Sequence, residues 1–439
     1  MLSLEEVDLV RRETAIPGLV VVLDPDAFID VLRRAAPAID PRAARITRLR
    51  YDPGRYCQVA YRIRRGDDGA ELDVGARACR PADLAPCLGY EASSASSLQE
   101  TGRMILEDCA VMLTSVYNDA VLPQLRGLTD ASRREHVLRE LLPDRPNLWR
   151  SECRCIRYKP ERRCVFELIA QDGARAVLKC YPQDAYGRGK CNANAFVSDG
   201  LLRIATPLGC VDRLHLIACE WLPGRLLTDV FSARDFDCEA VAVTGGALAA
   251  LHAQRPAGLA HWAREAEVQA LISVSWELGF ICPRLARHAE ELAARLASQL
   301  KEPGVRRAVH GDFSANQVLV DGQRRAAIID LDSARYGDPS DDLGNIIAQV
   351  ERAGLRGDLP PGRVERLIEA LLAGYLCSTQ HPLPEQIGLW TALQLFRRAR
   401  FPFRAREPDW PRRTEALLER AAVILDAASH GYGKRQDGI

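Results

Sequence analysis

The stretch from Ala308 to Asn345, AVHGDFSANQVLVDGQRRAAIIDLDSARYGDPSDDLGN, constrains this chain more than any other. Two apolar runs, Val318–Val320 and Ala326–Leu331, flank a turn at Asp321 and Gly322 and so read as a β-hairpin. Asp312 stands in a polar loop before the first strand, and Asp330 and Asp332 end the second. So short a hairpin brings the chain back to where it began, and one carboxylate comes to lie near two others. Oxygen donors converging from two turns suit a hard divalent cation. Single acids in loops also serve as turn formers, bonding their own backbone. Here several acids recur at ordered spacings, which favours a site over a set of turns.

His310-Gly311-Asp312, then Val318-Leu319-Val320, Ile329-Asp330, Gly337-Asp338-Pro339 and Asp342-Leu343, resemble the catalytic core of the aminoglycoside phosphotransferase superfamily, the small-molecule branch of the protein-kinase-like fold. The resemblance implies that Asp312 orients and deprotonates an acceptor hydroxyl and that Asp330 is the principal magnesium ligand. Where the family has an Asn five residues after the base, this chain has Gln317, and Asn316 stands only four after. Gln carries the same amide oxygen on a longer stem, so Gln317 is expected to ligate the metal, Asn316 to turn elsewhere, and Asp332 to add a second contact. Asp342 resembles the family's buried acid that accepts backbone N–H bonds from the catalytic loop, with His310 packed beneath that loop.

At 439 residues with a formal net charge of zero, the chain calls for two or three domains and offers no basic surface for nucleic acid. No apolar run approaches the length of a membrane span, and the acidic start MLSLEEVDLV lacks the features of a secretion signal, so the expected location is cytoplasmic. The 14 cysteines are scattered singly without a CxxC pair, as expected of small buried hydrophobes in a reducing compartment. Lysine occurs only at 159, 179, 190, 301 and 434, against a background of arginine. A lysine inside an apolar strand therefore stands out.

Residues 1–40 give one helix, around DAFIDVLRRAAP. RITRLRYDPGRYCQVAYRI (45–63) reads as strand, tight turn, strand, and the pattern returns at 154–169. Tyr51, Pro53, Arg55 and Cys57 match Tyr158, Pro160, Arg162 and Cys164 at a constant offset, suggesting an internal repeat. The second copy leads into ARAVLKCY (174–181), a third strand carrying Lys179, which by resemblance grips the α- and β-phosphates of ATP. The first copy has Arg77 or a neighbour at the corresponding place and no acid loop, which marks it as a degenerate structural copy. The turn 158–163 holds no glycine to wrap phosphates closely; Arg162 or Arg163 would compensate with charge, or equally both are solvated turn residues.

A helix around 190–203 is expected to offer Asp199 as the acid that holds Lys179. LHLIACEWLPGRLL (214–227) resembles the family's hinge, where backbone groups of Glu220 and Leu222 would meet the adenine edge. Helical spacing follows over 237–300, with His252 as a packed helix-end residue. Trp262, Trp276, Glu265 and Glu267 lie where the family inserts substrate-binding helices, and they suit a helical core just as well. Beyond Asn345 the chain reads as helical to about 427, with breaks at Phe401-Pro402 and Trp410-Pro411 and a frayed tail GYGKRQDGI.

These readings imply an α+β, protein-kinase-like bilobal fold. An N-terminal domain at 1–145 resembles a degenerate N-lobe repeat, followed by an N-lobe at 146–224 and a helical C-lobe at 225–439. The implied activity is transfer of the γ-phosphate of ATP, with Mg2+, to a hydroxyl of a sugar or sugar-like metabolite. An inactive, pseudokinase-like nucleotide-binding regulator is the alternative. A polycationic aminoglycoside is not the expected acceptor, because acids and arginines are mixed throughout 230–300.

Overall fold

The computed structural model describes residues 2–66, 69, 71–84, 102–233, 236–302, 306–322, 324–379 and 381–429; the tail GYGKRQDGI lies outside the described residues. Three helices open the chain rather than one. Leu4–Arg12 begins with a capping box, in which Ser3 Oγ accepts from the Glu6 N–H and the Glu6 carboxylate accepts from the Ser3 N–H. Leu19–Leu23 follows, and Pro25–Ala35 is capped by Asp24 and buries Phe28, Ile29 and Leu32.

Strands β1 (Pro41–Asp52), β2 (Tyr56–Arg65), β3 (Glu71–Cys79), β4 (Arg103–Leu106) and β5 (Val111–Ser115) form an antiparallel sheet in the order β1-β2-β3-β5-β4. After the helix Ala131–Leu141 come β6 (Glu152–Lys159), β7 (Arg163–Ile169), β8 (Arg175–Cys180), the short β9 (Leu202–Arg203), β10 (Pro207–Val211) and β11 (Leu216–Glu220). The second sheet runs β6-β7-β8-β11-β10, place for place the order of the first. Cys57 pairs with Ala78 across β2 and β3, and Cys164 pairs with Cys180 across β7 and β8. Arg77 therefore stands in the first sheet where Lys179 stands in the second.

The rest is mainly helical, with β12 (Arg225–Leu226), β13 (Ala260–His261), β14 (Arg307–Val309), β15 (Val318–Val320), β16 (Ala326–Ile328) and β17 (Arg335–Gly337) between helices. The hairpin read from the sequence is β15 and β16, in the register Val318↔Ile328 and Val320↔Ala326. It packs on the helix Cys238–Ala253 through a core that includes Val318, Ile328, Leu248 and Leu251. An antiparallel-sheet lobe followed by a helical lobe is the kinase-like α+β arrangement that the motifs imply.

A separate apolar core is continuous from the N-terminal elements into the C-terminal helices. Leu9, Val22, Phe28 and Tyr61 belong to the same cluster as Leu271, Trp390, Phe403 and Leu418. Here the helices Arg264–Ile281 and Ala286–Gln299 meet Ile387–Arg398 and Trp410–Ser429. The helix breaks at Pro402 and Pro411 fall as the prolines require, each in a first turn. No described helix is long and apolar enough to cross a membrane. The described cysteines are all free thiols.

Candidate active site

β14 runs directly into the loop His310–Gln317, and one buried carboxylate holds the start of that loop. Asp342, in the first turn of the helix Ser340–Arg356, accepts from the His310 N–H (2.6 Å), the Gly311 N–H (2.8 Å) and His252 Nε2 (3.0 Å). Burial alone would raise its pKa, but the bonds from His252 and His310 bring it below the ordinary carboxylate value. His252 is in turn oriented by the Tyr375 hydroxyl at 2.9 Å. Gly311 has φ +77°, and a Cβ there would lie 2.4 Å from the Ser333 carbonyl oxygen, so both backbone conformation and space demand glycine.

The same loop is tied to the end of the hairpin. His310 Nε2 donates to the Ile329 carbonyl (3.0 Å) while its Nδ1 accepts from the Asp312 N–H (3.3 Å), and the Ile329 N–H donates to the Gln317 carbonyl (2.9 Å). The turn bearing Asp312 and the turn bearing Asp330 and Asp332 are thus joined through one imidazole and one backbone bond. Asp330 itself is in the left-handed region, φ 67°, which Asp tolerates better than most residues.

Cations from the sheet lobe face these acids. Arg163 forks onto Asp330 with bonds of 2.6 and 2.7 Å and also reaches Asp332. Asp332 further accepts from Lys179 Nζ and the Tyr181 hydroxyl, each at 3.0 Å, and Lys179 lies 3.5 Å from Asp330. Burial of Asp330 disfavours its charge, yet Lys179 and Arg163 together hold its carboxyl far below the ordinary range. For Lys179 burial likewise opposes the charge, and the facing Tyr181, Asp332 and Asp330 keep it well above the usual lysine value.

Between the lobes these residues close one end of a cleft of about 680 Å³, within the ordinary range of ligand pockets. Val165 and Val177 line it from β7 and β8, and Leu319 and Ile328 from the hairpin. Cys219, Glu220 and Leu222 also line it. The Glu220 N–H is committed to the Thr206 carbonyl (2.8 Å) and its carboxylate to Arg203 (2.6 Å), while Leu222 is buried against the cleft.

Three expectations need correction. Asp199 does not hold Lys179: the helix is Gln183–Ala193, and Asp199 follows it, exposed, in a backbone bridge with Leu202. That helix contributes Asn192 instead, whose Nδ2 donates to the carbonyls of Leu331, Asp332 and Ala334 and so clasps the acid turn by its backbone. Gln317 is buried, with Oε1 accepting from Ser314 Oγ (3.0 Å) and Nε2 donating to Asp312 Oδ2 (3.3 Å). Its extra methylene lets the amide fold back onto the expected base, and Asn316 is the amide that lines the cleft. Arg162 is exposed and does not line the cleft; its neighbour Arg163 does. Trp262 and Glu267 are core residues, bonded to each other, with Glu267 also paired to Arg397.

The glycine-free β6–β7 turn is held by residues from earlier in the chain. Asp119 accepts from the Glu161 N–H (2.7 Å) and from the Tyr158 hydroxyl (2.9 Å), and Glu161 pairs with Arg77 of β3. The residue at the lysine position of the first sheet thereby steadies the turn beside the cleft of the second. Tyr181, two residues after Lys179, could have been singled out by that proximity; Asn192 and Asp119 carry no pattern that marks them.

The donor chemistry at the acid end suits a hard divalent cation. Two carboxylates, Asp330 and Asp332, and one amide, Asn316, stand at the cleft wall, with no sulfur or imidazole among these donors.

Residues 197–390 match the family model described as APH, phosphotransferase enzyme family. No curated protein matches the chain. Among solved structures, it is similar to a choline/ethanolamine kinase family protein from Mesorhizobium loti, at 16% identity and TM-score 0.42 over 64% of this chain and 93% of that one. A macrolide 2'-phosphotransferase from Brachybacterium faecium aligns at 19% identity and TM-score 0.39 over 61% and 91%. A choline kinase from Cryptosporidium parvum aligns at 11% and 0.46 over 68% and 96%. Identities this low and superpositions this loose say nothing of the acceptor. The matched residues 197–390, a little under half of the chain, contain the anchored Asp312 loop and the Asp330 turn.

Proposed function

We propose that the protein is an ATP-dependent phosphotransferase whose acceptor is a hydroxyl of a small molecule. The observation that carries this reading is the joining of the Asp312 loop to the Asp330–Asp332 turn at the charged end of an apolar, nucleotide-sized cleft.

In this reading the adenine lies between Val165 and Val177 on one side and Leu319 and Ile328 on the other, and the triphosphate extends toward Lys179 and Arg163. Both cations now neutralise carboxylates and would exchange them for phosphate oxygens, an exchange between like partners that leaves little net cost. Asp330, Asp332 and Asn316 would hold magnesium, which when bound supplies charge neutralisation at the phosphates. Asp312 accepts the acceptor's hydroxyl proton. Gln317 Nε2 engages its Oδ2, which would leave Oδ1 to take that proton. The acceleration then comes mainly from positioning and electrostatic stabilisation, as phosphoryl transfer requires.

The test is ADP formation across a panel of neutral, cationic and anionic alcohols, with Asp312→Asn alongside. Acceptor-dependent turnover lost in Asp312→Asn with nucleotide affinity unchanged supports the reading. Nucleotide binding without turnover of any acceptor would favour the regulatory alternative.

A further inference from the structure

Asp312 opens onto a second hollow of about 330 Å³, and it is the one acid among the described residues lining it. Facing it are Arg397, Arg398 and Arg400, on and just beyond the end of the helix Ile387–Arg398. Their existing partners leave positive charge over. Arg397 is taken by the buried Glu267. Glu277 is shared: Arg404 engages it through three bonds of 2.7–3.0 Å, and Arg400 has one, at 3.3 Å.

Arg398 has no carboxylate within 4.0 Å among the described residues; its Nη2 donates to the backbone and side-chain oxygens of Asn345, and its Nε is buried without a partner. Arg400 Nε is buried and unpartnered too. Burial lowers the pKa of each to about 10; Asp312 opposes this for Arg398 and Glu277 for Arg400, while neighbouring guanidinium groups add to it. A buried guanidinium lacking a countercharge costs stability, and a fork of free N–H groups matches carboxylate or phosphate.

The basic character continues toward the N-terminal sheet. Arg48 and Arg50 of β1 and Arg162 of the β6–β7 turn have no carboxylate within 4.0 Å among the described residues, and burial together with the like charges of neighbours, Arg404 among them, lowers the pKa of Arg48 and of Arg162.

We infer that the acceptor is an anionic alcohol, a hydroxyl compound bearing a phosphate or carboxylate group, which Arg398 and Arg400 bind in the hollow beside Asp312. This rests on the phosphotransferase reading and narrows it. The anion supplies the countercharge that Arg398 lacks within 4.0 Å and that Arg400 has only through Glu277, which it shares with Arg404, and its hydroxyl falls to Asp312. A polycationic acceptor is repelled by the same wall.

Calorimetric titration tests this with glucose 6-phosphate, glucuronate and glucose, each with AMP-PNP and Mg2+ present to occupy the cleft and again without nucleotide. The expected result is binding of at least one anionic probe, with glucose at least tenfold weaker. Arg398→Gln weakens the anionic probe tenfold or more with AMP-PNP affinity unchanged, and Arg398→Lys, which keeps charge but loses the fork, falls between. Circular dichroism establishes that each variant is folded. Equal binding of glucose and the anionic probes, no binding of either anionic probe, or no effect of Arg398→Gln would overturn the inference. Failure of AMP-PNP to bind would count against the phosphotransferase reading instead, while the nucleotide-free titrations still decide the anion site.

Discussion

Asp342→Asn is the substitution whose cost the structure defines most closely. The side chain keeps its size, and three donors arrive on its two oxygens: His310 N–H and His252 Nε2 on Oδ2, and Gly311 N–H on Oδ1. An amide offers one oxygen, so in either orientation its NH2 confronts at least one donor. One charge-assisted bond is lost, at ~1.5–3 kcal/mol, and any that survive become neutral bonds weaker by about 1 kcal/mol, a total of roughly 3–5 kcal/mol. The loss falls on the loop carrying Asp312, so it should appear as faster hydrogen exchange over 309–312, a lower denaturant midpoint and at least a hundredfold fall in kcat. The sign of the pH dependence follows from the depressed carboxyl: its stabilisation is present above the unfolded value near 4 and lost as pH falls through the lower folded value, so the gap between wild type and Asp342→Asn closes only in acid. A variant less than ~1 kcal/mol less stable at pH 7, with unchanged exchange at 309–312, would refute the anchoring role.

Gly311→Ala combines a left-handed backbone, about 1–2 kcal/mol, with a Cβ 2.4 Å from the Ser333 oxygen, and should lose activity and lower the unfolding midpoint even at so small a substitution. Lys159, half-buried among Arg163 and Arg157, has its pKa lowered to about 8 by burial and then by those charges. Its charge therefore costs stability below pH 8, and the cost disappears between pH 8 and 10.5; Lys159→Gln should unfold at higher denaturant than wild type at pH 7, by about 1–3 kcal/mol, with no advantage at pH 10.5. Asp119→Ala removes the acceptor of the Glu161 N–H and the Tyr158 hydroxyl, and should raise KM for ATP severalfold with little change in KM for the acceptor, as measured by steady-state kinetics.

The Asp312 loop and the acid turn were legible because their signals are local. Spaced acids, a short hairpin and an apolar strand bearing a rare lysine survive in a linear string, and Lys179, Asp330 and Asp332 do meet. Their mutual arrangement was less legible, since pairings 150 residues apart leave no periodicity: the partner of Lys179 proved to be Asp332 rather than Asp199. The longer stem of Gln317 allows more than one direction of reach, and the sequence does not show that it carries the amide back to Asp312. The Ser3–Glu6 capping box marks in the sequence the start of a helix of only nine residues, a length too short for periodicity alone to reveal. The repeat in 45–63 and 154–169 foretold a shared strand order, while the pairing of Arg77 with Glu161 needed three dimensions.

The central claim is that the interlobe cleft receives a nucleotide whose phosphates draw Lys179 and Arg163 off the acid turn. A crystal structure with AMP-PNP and Mg2+ tests it most directly. The account predicts adenine between Val177 and Ile328 and phosphate oxygens within hydrogen-bond distance of Lys179, with the Arg163 fork on Asp330 opened. Nucleotide bound elsewhere, or an intact Arg163–Asp330 pair with the phosphates outside the cleft, would contradict it.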